Sequence, residues 1–104
     1  MKFLLIVKPR QSTVLPPAAV ASMLSAQRAW LQDRRADGTF DCSYGFPLGG
    51  GCGIVNVDSH EALNELMLAA PSFVINDFEA HALCDVDVAL GNVVKMLEGV
   101  AAGS

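Results

Sequence analysis

Residues 73–83 alternate between apolar and titratable side chains. Phe78, Ala80 and Ala82 share one parity, and Asp77, Glu79 and His81 share the other. A strand points successive side chains to opposite faces, so this segment would carry three titratable groups on one face, about 7 Å apart. Residues 2–8 form a short apolar run that predicts a buried strand, ended by Pro9. A connection over 10–15, polar at first, leads to Pro16-Pro17, which suit the first turn of a helix. From Ala18 onward Val20, Met23, Leu24, Ala26, Trp30 and Leu31 recur at three- and four-residue intervals, which predicts an amphipathic helix to about Ala36, stopped by Asp37-Gly38. Thr39 to Phe46 alternates again, with Phe40, Cys42, Tyr44 and Phe46 on one parity. Pro47 to Gly51 reads as a flexible turn, and Cys52 to Val57 as a third strand closing a hairpin with the second. Asp58 or Ser59 caps a second helix with Ala62, Leu63, Leu66 and Met67 as its stripe. Pro71 closes that region, and a last helix runs from Asp87 to Ala101 on Leu90, Val93, Val94, Leu97 and Val100, weakened by Gly91.

The order is β-α-β-β-α-β plus a C-terminal helix, the ferredoxin-like split βαβ plan of the α+β class. It gives a four-stranded antiparallel sheet with both main helices on one face. The other face stays open, and pairing with a second copy would cover it and leave a barrel-like space between the sheets. Residues 1–104 form one domain, with 1–85 as its core and 86–104 as a helical extension.

Composition narrows the partners. The 104 residues are 52% hydrophobic and 17% charged, an apolar surplus for a short chain that points to a homodimer or higher homo-oligomer. The net charge of −4 and the absence of any basic run longer than Arg34-Arg35 argue against nucleic acid and membrane surfaces. The apolar run at the N-terminus is too short for a signal-peptide core or a bilayer span, so a cytoplasmic location is expected. Three cysteines, Cys42, Cys52 and Cys84, lack metal-binding spacing. They read as free thiols, with a Cys42–Cys52 contact across the hairpin as the alternative, and no metal or cofactor is expected. The run Gly49-Gly50-Gly51-Cys52-Gly53 matches no phosphate-binding fingerprint and precedes a strand rather than a helix.

Three stretches carry a resemblance. Asp37-Gly38-Thr39-Phe40, then Val57-Asp58-Ser59-His60-Glu61-Ala62-Leu63, then Pro71-Ser72-Phe73 with Asp77-Phe78-Glu79 and Leu83-Cys84, resemble muconolactone delta-isomerase and, more broadly, the dimeric α+β barrel superfamily. The likeness covers roughly residues 1–85. It implies a small hydrophobic organic ligand held in the open sheet face near a dimer seam. Departures stand at Asp41, Cys42 and Gly45, where the family carries arginines and a histidine. Leu4 and Ile6, and Gln27 and Ala29, stand where it carries polar and acidic groups. A lactone carboxylate would lose its cationic partners here.

The resemblance also assigns faces. Leu4, Ile6, Lys8, Phe40, Cys42, Tyr44, Asp77, Glu79 and His81 would line the open side, an apolar pocket with a few polar groups. His81, Glu79 or Asp77 is the candidate general base, with Tyr44 donating to a developing enolate oxygen. Burial and like-charge proximity would raise a carboxylate pKa toward the working range. Leu4, Ile6, Lys8, Phe40 and Cys42 are the candidate ligand-binding residues. The leading function is cofactor-free proton transfer, isomerisation or cyclisation of a small hydrophobic carbonyl or lactone compound. A cofactor-free monooxygenase and a non-catalytic binding or assembly module are the alternatives. Trp30 reads as core and His60 as solvent-facing.

Overall fold

Strand β1 (Lys2–Pro9) runs through the sheet interior, with β3 (Gly51–Asn56) on one side and β4 (Asn76–Leu83) on the other; β2 (Phe40–Gly45) completes the order β2-β3-β1-β4. All pairs are antiparallel. The computed structural model describes residues 1–11 and 14–103. Ser12 and Thr13, in the connection over 10–15, and Ser104, at the end of the C-terminal extension, lie outside the described residues. Helices α1 (Pro17–Ala36) and α2 (His60–Ala69) follow β1 and β3, and α3 (Val86–Ala102) follows β4. The fourth strand begins three residues later than its alternation suggests, because Phe73–Ile75 form a single 3-10 turn.

Local chemistry sets the boundaries. Pro17 starts α1, where a missing N–H costs nothing. Gly38, at φ +85°, takes the left-handed conformation that ends the helix. Ser59 rather than Asp58 caps α2, its hydroxyl accepting from the Ala62 N–H at 3.0 Å. Asp85 caps α3 in the same way through the Val88 N–H.

The core lies on one side of the sheet. Phe3, Leu5, Phe40, Val55 and Leu63 are buried together, and Trp30 and Leu31 of α1 and Leu66 and Met67 of α2 pack over them. Trp30 meets Phe40 edge-on at 5.9 Å. His60 is exposed, as expected, and its ring also rests edge-on against Phe3 at 5.7 Å.

The register corrects one face assignment. Phe40 lies opposite Val55 and Cys42 opposite Ile54, so Asp41 forms a bulge that reverses parity. Phe40 therefore points into the helix-side core, while Cys42 and Tyr44 point to the open side. The bulged Asp41 is held by the Lys2 ammonium and by the Asn56 amide, both of which lower its pKa. The register from the turn also keeps the hairpin cysteines out of direct pairing, since Cys52 lies opposite Tyr44 and Cys42 opposite Ile54; all three thiols are free.

The glycine turn is pinned rather than loose. Gly50 has φ +79°, its carbonyl accepts from the Phe46 N–H, and a Cβ there would stand 2.1 Å from the Val7 carbonyl oxygen. Gly50→Ala is expected to lower unfolding free energy by about 2–4 kcal/mol, combining left-handed strain with a backbone clash. Ser59→Ala removes only a cap and is expected to cost about 1 kcal/mol. Urea titration of both variants checks the ranking.

Candidate functional site

A cavity of about 580 Å³ lies between the sheet and the helices, not on the open face. It falls within the volume range of small-molecule sites. Its floor is the helix-facing side of the sheet at the end where Val7 pairs with Gly51 and Phe78. Leu5 and Val7 meet Gly53 and Gly51 there, and Gly51 meets Gly45. Three glycines in adjacent rows leave the β2–β3 part of the floor low, which is why the space above it is not filled. Val20, Leu24 and Trp30 of α1 and Leu66 and Met67 of α2 form the roof.

One wall is polar. Ser72 is 1% exposed and Asn76 7% exposed. The Asn76 Nδ2 donates to the Ser72 carbonyl at 3.1 Å and to its Oγ at 2.9 Å. The Ser72 backbone N–H donates to Gln27 Oε1 at 3.2 Å. These bonds fix both amides and leave defined groups over. Gln27 Nε2 and the Ser72 hydroxyl hydrogen remain as donors, and Asn76 Oδ1 as an acceptor, none of them paired among the described residues. All three residues line the cavity.

Arg10 stands at the rim, but its charge is already engaged. Its Nε donates to Asp77 Oδ1 at 3.0 Å, and its Nη atoms donate to the Val74 and Asn76 carbonyls at 3.4 and 3.3 Å. Among the described residues that line the cavity there is no carboxylate and no imidazole. A neutral, mostly apolar guest suits such a space, because an unpaired buried charge would be costly.

The open face collects most of the residues read from sequence. Leu4 pairs with Ile54 and His81, Ile6 with Cys52 and Glu79, and Lys8 with Asp77. Cys42 and Tyr44 join them from β2, and Phe40 does not. Leu4, Ile6 and Cys42 are half-buried, while Lys8, Asp77, Glu79 and His81 are exposed. Tyr44, 70% exposed on the edge strand, also borders the cavity. Phe40 lines the cavity from beneath.

His81 Nε2 lies 2.8 Å from Glu79 Oε2, with both side chains more than half exposed. The hydrogen bond from His81 and then its charge hold the Glu79 carboxyl below its ordinary value. That is the reverse of the upward shift expected from burial, and it makes Glu79 a weaker base. In a single chain the sheet stands between this pair and the cavity. Sequence reading did not single out Ser72 or Asn76 as site residues. Their signal, two small polar residues flanking the apolar Phe73–Ile75 turn, identifies a site only once the turn is seen to fold against α1.

No protein-family model matches the chain, and no curated protein sequence does. Among solved structures it is similar to muconolactone isomerase, with a TM-score of 0.73 and 21% identity, covering 82% of this chain and 90% of that one. It is also similar to TftG, the 5-chloro-2-hydroxyhydroquinone dehydrochlorinase of Burkholderia phenoliruptrix AC1100, solved with 2,5-dihydroxybenzoquinone. There the TM-score is 0.61 and the identity 15%, covering 84% of this chain and 97% of that one. The chain therefore has the ferredoxin-like α+β fold of muconolactone isomerase, the fold implied by its sequence resemblance.

Proposed function

We propose that this chain is a small-molecule enzyme of the muconolactone isomerase type. It takes a neutral carbonyl or lactone compound into the helix–sheet cavity and carries out cofactor-free proton transfer on it. The observation that carries this reading is the polar wall of an otherwise apolar cavity. Gln27 Nε2 and the Ser72 hydroxyl are donors held in place by bonds on their far sides. A carbonyl oxygen seated against them would gain two hydrogen bonds, which strengthen as charge builds toward an enolate. Asn76 Oδ1 would accept from a hydroxyl on the same guest. The spent Arg10 argues against an anionic arm, in keeping with the departures at Asp41 and Gly45.

For the proton itself the proposal keeps Tyr44, Asp77, Glu79 and His81. Tyr44 borders the cavity of its own chain from the edge strand, while its side chain points to the open side with the other three. Asp77, Glu79 and His81 would serve a guest held on the open face between two copies. A second reading, a non-catalytic binding module, is favoured by the lack of any carboxylate or imidazole among the described residues that line the cavity.

Trp30 is the single tryptophan and lines the cavity, so its emission reports occupancy. Small neutral quinones and butenolides are expected to change that emission saturably. Gln27→Leu should weaken their binding by about 3- to 10-fold, the worth of one hydrogen bond between neutral groups. Val20→Phe should abolish binding by filling the roof, and His81→Ala should leave it unchanged. Solvent-deuterium incorporation into the guest, followed by NMR, tests catalysis. Loss in His81→Ala, Glu79→Gln or Asp77→Asn places the base on the open face between copies, and loss in Tyr44→Phe marks Tyr44 as the donor to the developing enolate oxygen. No incorporation by the wild type leaves the binding module.

A further inference from the structure

Helix α3 is the least explained part of the molecule. It has 17 residues and none is buried. Strand β4 runs from Asn76 beside Pro9 to Leu83 beside Lys2, so α3 departs from the end of the sheet opposite the cavity. The molecule is accordingly drawn out, at 64 × 31 × 25 Å.

The apolar side chains of α3 are ordered. Val86, Leu90, Val93, Leu97 and Val100 follow one another at spacings of four, three, four and three, a heptad seam. Ala89, Val94 and Met96 widen it on both flanks. Asp87, Asn92, Lys95 and Glu98 lie off the seam, with Val88 among them. Leu90 is 58% exposed, Leu97 56% and Val100 66%. A seam without charge can meet its own copy without repulsion, as a two-fold contact requires.

Surface area indicates what covers it. The chain exposes 7244 Å² for a mass of 11.0 kDa. A monomer of that mass exposes about 5,600 Å². The excess, about 1,600 Å² per chain and shared by α3 and the open sheet face, is about twice the roughly 800 Å² that each partner buries in a standard interface, enough for one contact through α3 beside one through the sheet. A lipid surface is the poorer match, since α3 carries one lysine against two acidic residues and Asp85 caps it.

We infer that α3 is a self-association helix, whose Leu90–Val93–Leu97 seam packs against the same seam of a second copy of this chain. The contact is separate from any pairing through the open sheet face, because it uses an element beyond the sheet's end. It leaves the cavity of each copy untouched.

Light scattering after size exclusion tests this on the full chain. Leu90→Asp combined with Leu97→Asp is expected to halve the solution mass, while Val88→Asp, off the seam, leaves it unchanged. Far-UV circular dichroism checks that the variants fold, and the milder Val93→Gln, expected to weaken association at least 10-fold, serves if the double variant does not. Site-directed spin labels at residue 94 of the full chain should give an interchain distance that disappears on dilution with the double variant. An unchanged mass in both seam variants overturns the proposal, as does a monomeric wild type. Flotation of a monomeric wild type with phosphatidylcholine vesicles would overturn it in favour of lipid.

Discussion

A sheet has two faces, and this chain supplies helices for one. Everything else in the molecule follows from that shortage of cover. Helices α1 and α2 bury Phe3, Leu5, Phe40 and Val55, a small core for a chain of this length. Many other apolar residues, the α3 seam among them, are left exposed. Burial removes apolar area from water at roughly 25 cal/mol per Å², so this uncovered surface is a standing drive toward association.

Within the covered face, the cavity is a consequence of glycine placement. Gly45, Gly51 and Gly53 sit where side chains would otherwise fill the layer beneath α1. The strand pairing does not tolerate replacements easily, since a Cβ at Gly51 would stand 2.4 Å from the Tyr44 carbonyl oxygen. The same close approach that keeps the hairpin tight keeps the floor bare. Packing economy and site formation are here one feature.

The sheet also divides the chemistry. On the helix side the polar groups are neutral, buried and held by Ser72 and Asn76. On the open side they are exposed and most are paired: Lys2 with Asp41, Arg10 with Asp77, and Glu79 hydrogen-bonded to His81. Exposed pairs of this kind add little stability. The division still sets what each face can attract, a neutral guest inside and polar groups outside.

Period alone determined a good deal. Alternation over 77–83 placed Asp77, Glu79 and His81 on one face, and pairing with β1 keeps them there. Helical spacing located all three helices, and the element order implied the sheet. Such signals are local, carried by a few residues of the same segment. The bulge at Asp41 is not local: its carboxylate is held by Lys2 and Asn56, residues far away in the chain, and the shift places Phe40 in the core rather than on the open side. The cavity and its Gln27–Ser72–Asn76 wall likewise join a helix, a turn and a strand start, so no stretch of sequence contains them. Sequence alone settled the parity of β1, β3 and β4; the assembled layers decided the parity of β2 and which face is enclosed, because enclosure depends on what packs above a residue rather than on what flanks it.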